Sequence, residues 1–108
     1  MDKVLCSPYV RAQQTANAVM TLFPDLALIT DDSIKPGGDV YNVLDAIESY
    51  DVQNLLLVSH NRLLSNLLSV MVDGTMESHR YVANATLYCV EMDVAAPGCG
   101  EIAYTLEP

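Results

Sequence analysis

Two short polar runs follow apolar segments and carry side chains suited to hold an oxyanion. The first is Ser7-Pro8-Tyr9-Val10-Arg11, and the second is Ser59-His60-Asn61. In open parallel sheets, ligands bind where the carboxyl ends of strands lead into helices. There, Arg11 offers a guanidinium fork, His60 offers a ring that titrates near neutral pH, and helix N–H groups near Asn61 add partial positive charge. The combination suits a phosphoryl group.

Each of these residues also has a purely structural interpretation. Arg11 could be a solvated cation on a helix face, and His60 could be a hydrogen-bonded histidine at a strand end. Ser59 beside His60 suggests a Ser-His pair, but adjacent strand residues point to opposite faces, so we discount it. His79 lies in a polar stretch and is expected to be an exposed loop residue. Spacing alone leaves both interpretations of Arg11 and His60 open.

Strands that alternate with helices must position the two runs. The predicted elements are, in order, a strand at Lys3–Cys6, a helix at Tyr9–Phe23, an edge strand at Leu26–Ile29, a loop at Asp31–Gly38, a helix capped by Asp39, a strand at Leu55–Val58, a helix that stops at Asp73-Gly74, and two strands at Asn84–Met92 and Glu101–Leu106. Ser7 is expected to cap the first helix, and Pro8 to occupy its first position. The pattern predicts a three-layer α/β fold: a mostly parallel sheet, flanking helices and a C-terminal antiparallel hairpin.

Composition excludes several classes of protein. The 108 residues, 51% of them hydrophobic, predict one domain over residues 1–108 with a sizeable core. A net charge of -9 and five scattered cations argue against nucleic-acid binding. No apolar run reaches the roughly 18 residues of a membrane span and no signal peptide is evident, so we expect a cytoplasmic protein. Three cysteines without a CxxC pair indicate neither a disulfide framework nor a zinc site.

The first polar run resembles a signature of the histidine phosphatase superfamily, the phosphoglycerate-mutase-like proteins. In that signature a strand ends in Ser-Pro and a helix carries Arg-Ala-x-x-Thr-Ala, as Val4–Ala16 does here. Leu55–Asn61 is similar to the superfamily's later strand, which ends in its second catalytic histidine. The small size and the segment Lys35–Val40 are most similar to the SixA branch, the protein phosphohistidine phosphatases.

The resemblance implies metal-free phosphoryl transfer, without a cofactor, by a histidine nucleophile. Two arginines and a second histidine hold the phosphoryl oxygens in such a site, and water then hydrolyses the phosphoenzyme. It implies catalytic and phosphate-binding roles for Arg11 and His60. The backbone N–H of Asn61, at the start of the following helix, is expected to assist in binding the phosphate. Asp39 is a candidate acid, although helix capping is its more expected role.

One departure from the family pattern concerns the nucleophile. Relatives open with a strand that ends in Arg-His-Gly and carries the nucleophilic histidine, and no Arg-His-Gly occurs in this sequence. We therefore expect an N-terminally truncated domain in which the first strand of the family fold is missing. A strand and its helical connection amount to about 30 residues. The expected consequence is little or no turnover by this chain.

Three functions remain open. The resemblance favours dephosphorylation of phosphohistidine in a phosphotransfer protein or a sensor-kinase domain. A non-catalytic binding module is an alternative, because a missing strand would expose a sheet edge that favours a homo-oligomer. A phosphatase of small metabolites is the third, although the net charge of -9 would repel small polyanions. None of the three involves nucleic acid or a membrane.

Overall fold

Three parallel strands form the sheet against which the helices pack. The computed structural model describes residues 3–50, 53–83 and 86–106. Its strands and helices are β1 at Lys3–Cys6, α1 at Val10–Leu22, β2 at Ala27–Thr30, α2 at Val40–Tyr50, β3 at Leu55–Val58, α3 at Asn61–Asp73, β4 at Leu87–Met92 and β5 at Gly100–Leu106. Short 3-10 turns lie at Asp32–Ile34 and Met76–Ser78. The parallel sheet has the order β2-β1-β3.

The predicted α/β architecture is confirmed, including its layers. Side chains alternate between the two faces of a strand, so β1 contributes to two cores. Val4 and Cys6 pack against α1, whereas Leu5 packs against α2 and α3. On the α1 side, Ala12 and Ala16 are buried, and their small side chains let the helix lie close to the sheet.

The C-terminal hairpin is antiparallel, as predicted, but it forms a sheet of its own. Within the described residues, β4 pairs only with β5. Strand β4 begins at Leu87, whereas the predicted strand begins at Asn84, which lies outside the described residues. The hairpin packs on the same side as α3, because Tyr88 and Val90 contact the core that α3 lines.

The prediction for the start of α1 is wrong. Pro8 does not occupy the first helical position, and the N-cap is Tyr9, which has no side-chain cap, rather than Ser7. The reason is that Ser7 still belongs to the sheet, since its N–H donates to the carbonyl of Val58 at 3.0 Å. The helix therefore starts only at Val10. Ser7 Oγ accepts the Tyr9 N–H at 3.3 Å, ahead of the helix.

The other helix ends follow the sequence closely. The carboxylate of Asp39 accepts the N–H of Tyr41 at 2.8 Å, which is the capping contact predicted for α2. At the end of α3, Gly74 adopts a left-handed conformation with φ of 80°, which favours glycine over other residues. Among the described residues, no helix is long and apolar enough to cross a membrane.

Gly37 and Gly38, which precede α2, allow a matched test of stability. A Cβ on Gly38 would clash with the carbonyl oxygen of Ser33, so backbone would have to move. A Cβ on Gly37 would meet open space, although its φ of 82° is unfavourable for alanine. We expect Gly38→Ala to lower the free energy of unfolding by about 2–3 kcal/mol and Gly37→Ala by about 1 kcal/mol. Urea titrations measure the decrease in the free energy of unfolding for each variant. Equal decreases for Gly37→Ala and Gly38→Ala would contradict the crowding at Gly38.

Candidate active site

The carboxyl ends of β1 and β3 lie side by side at one edge of the sheet. The two strands are parallel neighbours in which Cys6 lies opposite Val58. Ser7 follows the end of β1, and His60 follows the end of β3 as the N-cap of α3. The pairing of strands thus brings together the two polar runs that are far apart in the sequence.

A hydrogen bond joins these runs directly. Ser7 Oγ lies 2.7 Å from His60 Nε2, between residues 53 positions apart in the chain. Ser7 is fully buried, and the Tyr9 ring meets the imidazole edge-on with centroids 5.5 Å apart. These contacts fix the ring of His60. Burial also lowers the pKa of His60 from its ordinary value of 6.5, so the neutral imidazole predominates at pH 7.

The remaining ring nitrogen of His60 is the one that can meet a ligand. Nε2 is engaged by Ser7, and Nδ1 has no hydrogen-bond partner among residues 3–50, 53–83 and 86–106. A neutral imidazole carries one N–H donor and one acceptor. In the tautomer in which the Ser7 hydroxyl donates to Nε2, Nδ1 carries the proton and is a hydrogen-bond donor to a ligand at the sheet edge.

Cations stand at the start of both helices that leave this edge. Arg11 is the second residue of α1, is exposed, and forms no ion pair with a described carboxylate. Arg62 occupies the same place in α3 and is also exposed. Asn61 is the first residue of that helix, whose first-turn N–H groups have no acceptors within the helix. Each of the two helices that leave this edge therefore has an exposed arginine at its second position, beside the partial positive charge of the helix N-terminus.

Gln13, at a variable position of the Arg-Ala-x-x-Thr-Ala pattern in α1, contacts the ends of two strands. Its amide Nε2 donates to the carbonyl of Ser7 at 2.8 Å and to the hydroxyl of Thr30 at 3.3 Å. The N–H of Asp31 donates to the carbonyl of Cys6 at 2.9 Å in the same region. One glutamine side chain thus ties the first turn of α1 to the ends of β1 and β2. This network holds the backbone that carries Ser7 in place.

Other residues considered from the sequence have different surroundings. Ser59 Oγ donates to the carbonyl of Ile34, so its hydroxyl is engaged away from His60. Asp39 is occupied in capping α2. His79 is exposed and lies after the turn that follows the carboxyl end of α3. A helix of 13 residues is about 18 Å long, which separates this end from the sheet edge.

Sequence reasoning missed two features of this edge. It did not identify Ser7 as the partner of His60, because the contact depends on the parallel pairing of β1 with β3. It also passed over the side chain of Arg62. The signal for Arg62 is positional, since it occupies the second position of its helix, as Arg11 does.

No family model matches the sequence. A curated protein of Haemophilus influenzae, described as a "Phosphohistidine phosphatase SixA homolog", is 36% identical over an alignment of 76 residues. The match covers 64% of this chain and 46% of that protein. The chain thus spans about half the length of the curated relative that it matches.

A solved structure matches almost the entire chain. It is described as the "protein histidine phosphatase SixA complexed with tungstate", and the match has a TM-score of 0.77 at 24% identity. The match covers 98% of this chain and 68% of the solved one. The chain is thus similar in sequence to part of a SixA homolog and shares the α/β fold of the solved SixA structure.

Proposed function

We propose that the edge formed by Ser7, Arg11 and His60 is the phosphate-binding half of a protein phosphohistidine phosphatase site. The observation that carries this proposal is the 2.7 Å hydrogen bond between Ser7 and His60, which unites the two motifs that resemble the family. Both known proteins compared above are described as SixA phosphatases, one as a phosphohistidine phosphatase and one in complex with tungstate, a tetrahedral oxyanion.

In the proposed site, each group binds a different part of the phosphoryl group. Arg11 donates two N–H groups to phosphoryl oxygens, as a guanidinium fork does for carboxylates and phosphates. His60 donates from Nδ1, because Ser7 holds its other nitrogen. The N–H groups of the first turn of α3, beginning at Asn61, add a third set of donors. These donors offset the charge that spreads over the equatorial oxygens in the transition state.

The nucleophile of this chemistry is not among residues 1–108. The sequence has two histidines, His60 and His79, and contains no Arg-His-Gly. The hydrogen bond from Ser7 occupies one ring nitrogen of His60, which we assign to binding the phosphoryl group. His79 lies beyond the far end of α3. We therefore propose that the chain binds the phosphoryl group and has little or no turnover by itself, because other residues of a catalytic set do not replace its nucleophile.

The proposed substrate is phosphohistidine of a phosphotransfer protein or a sensor-kinase domain. A P–N bond to imidazole breaks readily, so the site needs no dedicated carboxylic acid to protonate the leaving group. The capping role of Asp39, whose Oδ1 accepts the N–H of Tyr41 at 2.8 Å, supports a site without this residue as an acid. The half-exposed position of His60 at an open sheet edge leaves room for a protein-borne phosphoryl group.

Removal of Arg11 tests whether the edge binds oxyanions. We expect Arg11→Ala to weaken binding of tungstate or inorganic phosphate about tenfold or more, because charge-assisted hydrogen bonds contribute about 1.5–3 kcal/mol. Arg80→Ala is the matched control, since Arg80 pairs with Asp73 at the other end of α3 and carries the same charge. Isothermal titration calorimetry measures the anion affinity of both variants. Equal weakening by the two substitutions would show that net charge alone, rather than the edge, attracts the anion.

The protonation of His60 provides a second test. Its pKa, followed by the NMR shifts of the ring, should lie below 6.5 in the free protein because burial disfavours the charged form. A bound phosphate dianion should raise it, since a nearby negative charge stabilises imidazolium. The lowered pKa also means that stability contributed by neutral His60 is present above pH 6.5 and is lost as the pH falls below that value. A phosphate-independent pKa would contradict binding beside this ring.

The absence of a nucleophile gives a third prediction. When the chain is mixed with a phosphotransfer domain phosphorylated on histidine, phosphate release should not exceed that of the domain alone. A full-length SixA protein assayed in parallel is the positive control. Turnover comparable to that control would show that residues 1–108 contain a nucleophile after all.

A further inference from the structure

Tyr9 lies beside the Ser7–His60 pair and is fixed there by two contacts. Its backbone N–H donates to Ser7 Oγ at 3.3 Å, and its ring meets the imidazole of His60 at an angle of 72°, with the centroids 5.5 Å apart. Tyr9 is also the N-cap of α1, with an extended backbone. The end of β1, the start of α1 and the histidine therefore determine together where this ring lies.

The Tyr9 ring nevertheless remains open on one side. The residue is 52% exposed, and Val10, which follows it, is 71% exposed. The Tyr9 hydroxyl has no hydrogen-bond partner within the described ranges 3–50, 53–83 and 86–106. An accessible apolar surface thus lies directly beside His60.

The donors proposed to bind the phosphoryl group do not contact the group that carries the phosphorus. Guanidinium, imidazole and backbone N–H groups donate to phosphoryl oxygens, but they offer little apolar surface. Tyr9 is the aromatic residue in ring contact with His60 among the described residues. Because the two ring centroids lie 5.5 Å apart, a ligand bound to the imidazole can reach the Tyr9 ring with a substituent of ring size.

An aromatic substituent gains more from this surface than an alkyl substituent does. The face of a tyrosine ring is negative and its edge is positive, so a second ring packs on it offset or edge-on, with an attraction beyond the area that it buries. Tyr9 already packs in this way with the imidazole of His60. The imidazole of phosphohistidine is a ring of the same kind, whereas phosphoserine and sugar phosphates carry the phosphoryl group on saturated carbon through oxygen.

We propose that the exposed part of the Tyr9 ring receives the imidazole of phosphohistidine while Arg11 and His60 bind its phosphoryl oxygens. Tyr9 is then a specificity-determining residue, which favours phosphoryl groups on an aromatic ring over those on an alkyl group. The ring is required for this role and the hydroxyl is not. The inference rests on the proposed function, because it takes the edge formed by Ser7, Arg11 and His60 as the site of phosphate binding.

Two phosphonates test this role of Tyr9 with the 108-residue chain. Imidazol-4-ylphosphonate carries its anionic group on an imidazole ring, methylphosphonate carries it on an alkyl carbon, and the P–C bond of both resists hydrolysis. Isothermal titration calorimetry gives the affinity of each phosphonate for the unaltered chain and for Tyr9→Ala, Tyr9→Leu and Tyr9→Phe. Tyr104→Ala is the control, because Tyr104 is also 52% exposed but lies on β5 of the separate hairpin.

The measured quantity is the ratio of the two affinities, compared among variants so that differences in the ionisation of the two phosphonates cancel. The unaltered chain should prefer the imidazolyl phosphonate, and Tyr9→Ala and Tyr9→Leu should lower the ratio about threefold to tenfold. The affinity for methylphosphonate should stay nearly constant, and Tyr9→Phe and Tyr104→Ala should keep the ratio. Nuclear Overhauser effects should connect the ring protons of the imidazolyl phosphonate with those of Tyr9.

Folding of the variants is verified by circular dichroism. Tyr9 makes no side-chain capping hydrogen bond, so its replacement removes none from the start of α1. Tyr9→Leu retains apolar bulk without an aromatic ring, and it therefore tests the proposal even if Tyr9→Ala is unstable.

Several outcomes would overturn the proposal. An equal loss of both affinities in the Tyr9 variants would show that the ring only orients His60. A ratio that these variants leave unchanged, or that Tyr104→Ala lowers as much, would remove the specificity role. In these cases the binding of phosphonates would leave the proposed function standing. Failure of the unaltered chain to bind either phosphonate would contradict the phosphate-binding edge itself, and the role of Tyr9 with it.

Discussion

The parallel pairing of β1 with β3 is the constraint on which the site depends. It places the chain after Cys6 beside the chain after Val58 and extends one residue further through the N–H of Ser7. A slip of one residue would turn every side chain of a strand to the other face. Leu5 would then leave the core of α2 and α3, and Ser7 would turn away from His60. The same register thus serves both the packing of the core and the geometry of the site.

The buried hydroxyl of Ser7 makes this arrangement specific. A buried polar group without a partner costs about 1–3 kcal/mol, whereas a satisfied hydrogen bond contributes about 1 kcal/mol net. Ser7 is fully buried and reaches both the ring of His60 and the N–H of Tyr9. Alternative placements of His60 would leave the Ser7 hydroxyl with the Tyr9 N–H as its remaining described partner, without an acceptor for its own hydrogen. The position of the His60 ring therefore depends more on the cost of leaving the buried Ser7 hydroxyl hydrogen unpaired than on the net free energy of the Ser7–His60 hydrogen bond.

Local patterns in the sequence predicted most of the fold, and contacts between distant segments account for what was missed. The continuous apolar run Leu55–Val58 and the stop at Gly74 each depend on nearby residues, and both agree with the structure. The start of α1 was mispredicted because Ser7 pairs with Val58, far along the chain. The same distance hid the Ser7–His60 bond. Local patterns do not indicate that the hairpin forms a sheet of its own, because that separation is defined by which strands do not pair.

The separation of the hairpin from the parallel sheet has a consequence for the order in which the molecule forms. An antiparallel hairpin whose strands are joined by a short loop closes within about 1–10 μs. The parallel sheet must instead bring together strands that are separated by whole helices, and pairing of this kind is intrinsically slow. β4 and β5 can therefore be complete while β1 and β3 are still apart. The hairpin and the parallel sheet come together only when a preformed hairpin docks on α3, which makes that docking a late step in folding.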